Sequence, residues 1–259
     1  MPADLDRPQT VAESDEDVRQ ATPPAGPAAV SPWRPTQRPP VALLTVCDDG
    51  RPDGEVVRIR ADRFVIGRTD GDLTVPHDAL MSTRHAEITR QQVGGLWRWV
   101  LTDLQSTNGL FVRLSRSTLI DRREFLAGGG RYRFDAPDGE PDGTIDHLPG
   151  GPTPAAGTQG PRVLAGRPAA LTELVGGGIG NRVVLTRPEY WIGTDPGCAV
   201  CRPDDPFCAP RQVRVYRDAK GWAADHPKTA NGLWVRLPQM VAERTVQFQL
   251  GEQRFKLVV

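Results

Sequence analysis

Positions 106–114 read STNGLFVRL, and positions 229–237 read TANGLWVRL. A second pair lies upstream of these segments, where FVIGR at 64–68 matches YWIGT at 190–194. The offset is 126 residues for the upstream pair and 123 for the downstream pair, so one loop between them changes length slightly. Two matched segments in the same order and at nearly one offset indicate that the chain contains a duplicated unit.

The segments around these matches are short, rich in apolar and β-branched residues, and separated by Gly, Asp and Asn. In the first copy they include VALLTV (41–46), EVVRIR (55–60), RFVIG (63–67), AEIT (86–89), WRWVL (97–101) and LFVRL (110–114). None sustains the 3.6-residue apolar period of a helix, whereas several alternate as strands do. The pattern predicts an all-β fold in which each copy forms a small β-sandwich.

Two Pro-rich stretches set the predicted domain boundaries. Residues 1–40 hold nine of the 25 prolines and an acidic cluster. Such a segment cannot bury enough apolar surface to offset its ordering entropy, so it is predicted to be a disordered tail. Residues 136–162 are rich in Pro and Gly and are predicted to be a linker. The predicted domains are therefore 41–135 and 163–259.

Charge and composition narrow the classes of function. Lys plus Arg and Asp plus Glu number 32 each, so the formal net charge is zero. A nucleic acid or an anionic membrane as main partner usually requires a basic excess. No apolar run approaches the ~20 residues of a membrane span, and the N-terminus lacks the apolar segment of a secretion signal. These features predict a cytoplasmic protein with no nucleic-acid partner and no membrane insertion.

One group of polar residues falls at the predicted strand ends of the first copy, in GR (67–68), STRH (82–85) and NG (108–109). A phosphate carries close to two negative charges and three strong acceptor oxygens. An Arg fork matches the charge, and Ser and Thr hydroxyls match the remaining oxygens. The group contains no paired carboxylates and no base beside a nucleophile. It predicts phosphate binding without catalysis and without a cofactor.

At these residues the first copy resembles the forkhead-associated (FHA) domain family, whose pattern is Gly-Arg at a strand end, then Ser-x-x-His, then Asn-Gly after another loop. The resemblance covers most of 41–135, and a degenerate version covers most of 163–259. It implies a sandwich of about eleven strands that binds phosphothreonine peptides through loops gathered at one end. The implied partners are a phosphothreonine-containing protein and a Ser/Thr protein kinase.

The resemblance assigns binding roles to four residues of the first two motifs. Arg68 would form the charged hydrogen bonds to the phosphate, and Ser82 would donate its hydroxyl to a phosphate oxygen. Thr83 would contribute its backbone amide or side chain. Arg84 would contact the phosphate or residues past the phosphothreonine.

The remaining assignments fall on the loops around these groups. Thr107 would line the pocket, and Asn108 would bond the peptide backbone and hold the ligand extended. Gly67 and Gly109 are expected to serve the backbone, because both occupy turns that favour glycine. His85 is expected to brace the binding loops rather than contact the ligand.

The second copy lacks the groups that would hold a phosphate. Aligned through the matched segments, it has Thr194 in place of Arg68 and Ala209 in place of Ser82. Its other aligned positions are Gln212 for His85, Ala230 for Thr107, Arg211 for Arg84, Asn231 for Asn108 and Gly232 for Gly109. The second copy is therefore predicted to be a sandwich without phosphothreonine affinity.

Three cysteines suggest a different chemistry. Cys198, Cys201 and Cys208, with His226, have the composition of a Cys3His zinc site. The alignment places Cys201 and Cys208 where the family usually has buried apolar residues. That placement favours cysteines that pack as small hydrophobic side chains, and no metal is expected.

Two other functions stay open. The chain could be a phosphate-independent structural component of a larger assembly. It could also be regulated by its own tail, because Glu13 stands at the third position after Thr10 and the family often selects ligands at that position. An enzyme would need a metal or a reactive thiol at the cysteines, and the sequence predicts no enzymatic activity.

Overall fold

The computed structural model describes residues 39–47, 54–138 and 166–259, which form twenty β-strands and no helix. The prediction of an all-β fold is confirmed. The predicted tail at 1–40 and the predicted linker at 136–162 lie almost entirely outside the described residues. Within the described ranges, no helix is long and apolar enough to cross a membrane.

Ten strands precede position 139: β1 (Ala42–Cys47), β2 (Gly54–Ile59), β3 (Arg63–Gly67), β4 (Leu73–Thr74), β5 (Ala86–Val93), β6 (Leu96–Asp103), β7 (Leu110–Leu114), β8 (Arg116–Thr118), β9 (Glu124–Ala127) and β10 (Gly130–Asp135). Ten more follow position 165: β11 (Ala170–Val175), β12 (Gly178–Val184), β13 (Glu189–Gly193), β14 (Val200–Cys201), β15 (Val213–Asp218), β16 (Gly221–Asp225), β17 (Leu233–Arg236), β18 (Gln239–Ala242), β19 (Thr245–Leu250) and β20 (Gln253–Val258).

The first hydrophobic core lies between a five-stranded sheet, β18-β6-β5-β3-β4, and the strands β7-β19-β20-β1-β2 of a ten-stranded sheet. Leu110 and Val112 of β7 and Phe248 of β19 are fully buried in it. The two-residue spacing along β7 turns one face of the strand inward. This core is therefore assembled from two distant pieces of chain, 42–114 and 239–258.

The second hydrophobic core is built from one continuous stretch, 116–236. It lies between the other five-stranded sheet, β14-β13-β15-β16-β8, and the strands β12-β11-β10-β9-β17 of the ten-stranded sheet. Phe125, Tyr132 and Phe134 from β9 and β10 are buried together with Trp222 of β16. The Phe134 and Trp222 rings lie 6.0 Å apart, centroid to centroid.

This division differs from the predicted boundaries at 41–135 and 163–259. Strands β8, β9 and β10, which were expected to close the first sandwich, lie in the second core, and β18, β19 and β20 close the first. The second core is an insertion between β7 and β18. The predicted linker does not separate the cores, because the strands on either side of it, β10 and β11, pair with each other in the second core. There the Asp138 amide donates to the Arg167 carbonyl at 3.1 Å.

The physical reason lies in two short connections. Only Ser115 separates β7 from β8, and only Leu237 and Pro238 separate β17 from β18. A two-residue hairpin needs a positive φ at its first central residue, which favours Gly, Asn or Asp. None of these three residues has a positive φ, and proline fixes its own φ near −65°. Both connections therefore run onward into the other core instead of turning back.

The two cores share the ten-stranded sheet through an antiparallel pairing of β7 with β17. Val112 lies opposite Val235, and Arg113 lies opposite Trp234. This pairing gives both strands a second neighbour, with β19 beside β7 and β9 beside β17. Neither strand is left with an open edge.

We expect residues 41–135 expressed alone to lack a cooperative unfolding transition, whereas 40–259 should show one. The short fragment loses Val246, Phe248, Leu250, Phe255 and Leu257, which the first core buries. Each is worth roughly 1.5–3 kcal/mol on burial, and the sum rivals the whole stability of about 5–15 kcal/mol typical of a domain. Thermal unfolding followed by circular dichroism measures this.

The matched fragment is 116–236, which contains the whole second core and is expected to unfold cooperatively. A cooperative transition in 41–135 would mean that β8, β9 and β10 can fold back onto the first core, contrary to the short connection at Ser115.

Candidate functional site

The predicted phosphate-binding residues lie on loops at one end of the first core. Arg68 follows directly after β3, and its amide donates to the Ser82 carbonyl at 2.9 Å. The Thr107 amide, on the loop before β7, donates to the Ser82 hydroxyl oxygen at 3.1 Å. The structure therefore brings the three loops together around Ser82. Because Ser82 accepts this bond, its own hydroxyl hydrogen stays available to a ligand.

Gly67 makes the close approach of two of these loops possible. A Cβ at this position would lie 2.1 Å from the Thr83 carbonyl oxygen and 2.4 Å from the Asp70 carbonyl oxygen. The Asp70 amide in turn donates to the Thr83 carbonyl at 3.1 Å. A side chain at Gly67 would push these backbones apart and displace Arg68.

The two arginines of the site differ in their surroundings. The Arg68 guanidinium makes no hydrogen bond or ion pair with any residue that the structure describes. Arg84 forms an ion pair with Asp70 in which Nε lies 3.9 Å from Oδ2. Both of those side chains are exposed, so water screens the pair and Arg84 can change partner at little cost. Thr83 is exposed beside them.

Asn108 is oriented by a hydrogen bond within the protein. Its side-chain amide donates to the Leu80 carbonyl at 2.7 Å, which leaves its side-chain oxygen to accept from a ligand. Thr107, just before it, is exposed. Gly109, just after it, has a φ of 88°, a conformation that L side chains rarely adopt.

His85 is fully buried and joins two of the loops. The Ser82 amide donates to His85 Nδ1 at 3.1 Å, and His85 Nε2 lies 3.1 Å from the Gly109 carbonyl. Because Nδ1 accepts, the proton must sit on Nε2, which donates to Gly109. Burial lowers the pKa of His85 below its ordinary value of 6.5, and the nearby positive charge of Arg236 acts in the same direction. The neutral ring is therefore the form that holds the loops.

The second core carries an equivalent set of loops in which a glutamine replaces this histidine. The Ala209 amide donates to Gln212 Oε1 at 3.0 Å, and Gln212 Nε2 donates to the Gly232 carbonyl at 2.7 Å. These are the same two bonds that His85 makes. Asn231 donates to the Phe207 carbonyl at 2.8 Å, matching the bond from Asn108. The framework is thus preserved while Thr194 and Ala209 supply neither a guanidinium nor a hydroxyl at the matching positions.

Asp78 is a site residue that the sequence reasoning missed. It is buried, and its carboxylate accepts from the Leu80 amide at 2.9 Å and from the Glu252 amide of the β19–β20 turn at 2.8 Å. It therefore ties the loop that orients Asn108 to the turn between β19 and β20. The duplication held a signal for it, because the alignment places Asp205 of the second copy opposite Asp78. Asp205 accepts matching bonds from the Phe207 amide at 2.9 Å and from the Gly129 amide at 2.8 Å.

The cysteines show no grouping suited to a metal. Among the described residues, no cluster of three or more His, Cys, Asp or Glu could hold an ion. The Cys198 thiol donates to the Pro210 carbonyl at 3.3 Å, and the Cys201 thiol lies 3.7 Å from the Thr194 carbonyl. Burial, with Asp205 nearby, raises the pKa of the Cys208 thiol to about 11. This environment disfavours the thiolate that metal binding requires.

The family model for the FHA domain matches residues 64–125. This range holds every predicted binding residue and confirms the resemblance for that part of the chain. It also runs from β3 in the first core to the start of β9 in the second. The assignment of a second, degenerate FHA domain stays a prediction. Thr10 and Glu13 lie outside the described residues.

One solved structure with a detectable match is the crystal structure of full-length yeast Pml1p. It is 19% identical, the match covers 28% of this chain and 57% of that chain, and the TM-score is 0.26. This chain thus matches little more than half the length of Pml1p. No curated protein matches the sequence.

Replacing His85 with Gln should preserve the loops and reduce the pH dependence of stability. Because its folded-state pKa lies below 6.5, the unfolded chain binds more protons than the folded protein below about that pH. Wild-type stability should therefore fall as the pH drops below 6.5 and through the folded-state pKa of His85. In His85→Gln, the free energy of unfolding should decrease less over the same pH range. Chemical denaturation at several pH values between about 5 and 8 measures it.

Gln212→His provides the converse test. A histidine buried at this place in the second core should make the free energy of unfolding depend on pH about as steeply as His85 does. His226, whose pKa burial also lowers, is present in every variant and accounts for part of the remaining slope. Identical slopes in the wild type and in His85→Gln would show that His85 is not held neutral by the fold.

Proposed function

We propose that the chain is a phosphothreonine-peptide-binding adaptor in Ser/Thr-kinase signalling, with its binding site on the loops of the first core. An FHA domain is generally a phosphopeptide-binding module, and residues 64–125 match that family. The observation that carries the proposal is the pairing of Arg68 with Ser82. A guanidinium without a described partner stands after β3, hydrogen-bonded through its backbone to a serine whose hydroxyl can still donate.

These groups suit a phosphorylated side chain because they are already held in place. The backbone bond between Arg68 and Ser82, the bond from Thr107 to Ser82 and the His85 brace fix the loops before a ligand arrives. Little ordering cost then remains on the protein side. Each hydrogen bond to a charged group is worth ~1.5–3 kcal/mol. Three or four of them, less the cost of ordering a peptide, correspond to roughly micromolar affinity.

The neighbouring groups provide the rest of the proposed site. Thr83 and Arg84 border the phosphate position, with Arg84 free to leave Asp70 for the ligand. Thr107 lines the pocket, and the unused oxygen of the Asn108 side chain accepts from the peptide backbone. Gly67 and Gly109 permit the loop conformations, as the close backbone approach at Gly67 and the positive φ of Gly109 support.

The second core is proposed to be a degenerate FHA-like unit that does not bind phosphothreonine. Gln212 and Asn231 support equivalent loops there, yet Thr194 replaces the arginine and Ala209 replaces the serine. Without the charge and the hydroxyl, the hydrogen bonds formed by a bound phosphate would not offset the free energy lost on removing it from water.

The proposed partners follow from the chemistry of the ligand. A Ser/Thr protein kinase creates the phosphothreonine, and the protein that carries it is the binding partner, which the proposal sets in the cytoplasm. FHA domains are binding modules rather than enzymes, and the proposal assigns this chain no catalytic step, no nucleic acid and no membrane insertion.

Replacing Arg68 with Ala should weaken phosphothreonine-peptide binding by about 100-fold or more, the loss expected for two charge-assisted hydrogen bonds. A phosphothreonine peptide array on the full chain identifies a ligand, and calorimetry then compares the variants. Ser82→Ala should cost about tenfold, since it removes one bond. Unphosphorylated peptides should not bind.

The matched control is Arg98→Ala. This variant removes an exposed arginine near the start of β6, whereas the loop with Thr107 and Asn108 follows the end of that strand. If Arg68→Ala binds the array as the wild type does, the phosphopeptide site is not at Arg68 and the second core becomes the alternative place for it. If the wild type binds no phosphopeptide, a phosphate-independent role in an assembly becomes the better account. Phosphorylation of Thr10 that weakens peptide binding would support regulation by the tail.

A further inference from the structure

Three charged residues of the second core lie against the loop that carries Thr107 and Asn108. Glu124 on β9 accepts from Arg131 on β10, with Nε at 2.9 Å and Nη2 at 2.5 Å. Its other carboxylate oxygen accepts from Arg236 Nη1 on β17 at 3.2 Å. One carboxylate thus holds two guanidinium groups side by side.

Both guanidinium groups reach the backbone of that loop, which belongs to the first core. Arg131 Nη2 donates to the Asn108 carbonyl at 3.3 Å, and Arg236 Nη2 donates to the Ser106 carbonyl at 3.5 Å. Arg236 also lies against Gly109, where a Cβ would come within 2.2 Å of its Nε. The second core therefore contacts the loop before, at and after the residues that are proposed to meet the ligand.

A second set of residues occupies the equivalent places under the loop of the second core. Arg113 of β7 donates to the Ala230 carbonyl at 2.8 Å and to Gln247 Oε1 at 3.0 Å. Arg113 also packs against Gly232, where an added Cβ would lie 2.6 Å from the Arg113 Nε. Each core thus places an arginine under the loop of the other. Glu124 has a neutral amide, Gln247, as its counterpart.

We propose that Glu124, Arg131 and Arg236 are positioning residues for the phosphothreonine site, so that the second core, itself without phosphate-binding groups, completes the site of the first. This inference rests on the proposed function of Arg68 and Ser82. The inference gives the inserted core a role. The arginines fix the orientation of the Ser106 and Asn108 carbonyl groups, and that orientation determines where the side chains of Thr107 and Asn108 point.

Arg236→Ala and Arg113→Ala form a matched pair, since the two arginines occupy equivalent places on the paired strands β17 and β7. Arg236→Ala should weaken phosphothreonine-peptide binding by about tenfold, the value of one well-placed charge-assisted bond. Arg113→Ala should leave the affinity unchanged. Calorimetry on the full chain, with thermal unfolding of both variants, separates positioning from a general loss of stability.

A ligand-free measurement tests the same inference without relying on the proposed function. The Thr107 amide donates to Ser82 and the Gly109 amide donates to the Ser106 hydroxyl at 3.0 Å, so both report on the loop. Their hydrogen exchange should become about tenfold faster in Arg236→Ala and stay unchanged in Arg113→Ala.

Two conservative variants keep the test decisive if Arg236→Ala unfolds. Arg236→Lys keeps the positive charge but loses the paired N–H donors of the guanidinium. Glu124→Gln introduces the same side chain as its counterpart in the second copy, Gln247. Each should increase exchange at Thr107 and Gly109 and weaken binding, and Gln247→Glu should do neither. Equal exchange and equal affinity across these pairs would overturn the inference. If the wild type binds no phosphopeptide but the exchange differs as expected, the proposed function fails, and what stands is that the second core orders the loop at 106–109 of the first.

Discussion

The antiparallel pairing of β7 with β17 is the interaction on which the rest of the structure depends. It joins two five-stranded halves into one sheet and protects two strand edges that would otherwise be open to other chains. The same pairing sets Arg113 and Arg236 on neighbouring strands, where each reaches the loop of the opposite core. The geometry of the candidate site and the connection between the cores therefore have one physical origin.

Comparison of the two loop sets separates what the fold requires from what a ligand requires. Gln212 makes the two bonds that His85 makes, and Asn231 repeats the bond of Asn108. These contacts satisfy buried or half-buried polar groups, which would be costly to leave unpaired. By contrast, Arg68 and the Ser82 hydroxyl hydrogen satisfy nothing within the described protein, and these are the groups that the second copy has lost. Residues that the fold does not need are the strongest indication of binding.

The grouping of the candidate-site residues on neighbouring loops could be predicted from the sequence, because FVIGR, STRH and NG each combine a strand end with a distinctive polar residue. The all-β class followed from short strands with two-residue alternation. The assignment of β8–β10 and β18–β20 to cores did not, since a buried β-strand has the same pattern whichever sandwich it completes. The local signals for it were the short connections at Ser115 and at Leu237–Pro238. Arg236 and Glu124 could not be linked to the site until this crossover was known.

The insertion of one core within the other also fixes the order in which the protein can be completed during translation. Residues 116–236 leave the ribosome as a full set of strands for the second core, while the first core still lacks β18, β19 and β20. Domains usually fold from the N-terminus onward during synthesis. Here the second core has all of its strands before the first core, which begins nearer the N-terminus, has its own. A truncated product ending before β18 would retain the strands of the second core and could not close the first core. Closure of the first core, and with it the support for the candidate site, would thus wait until β20 has been synthesised.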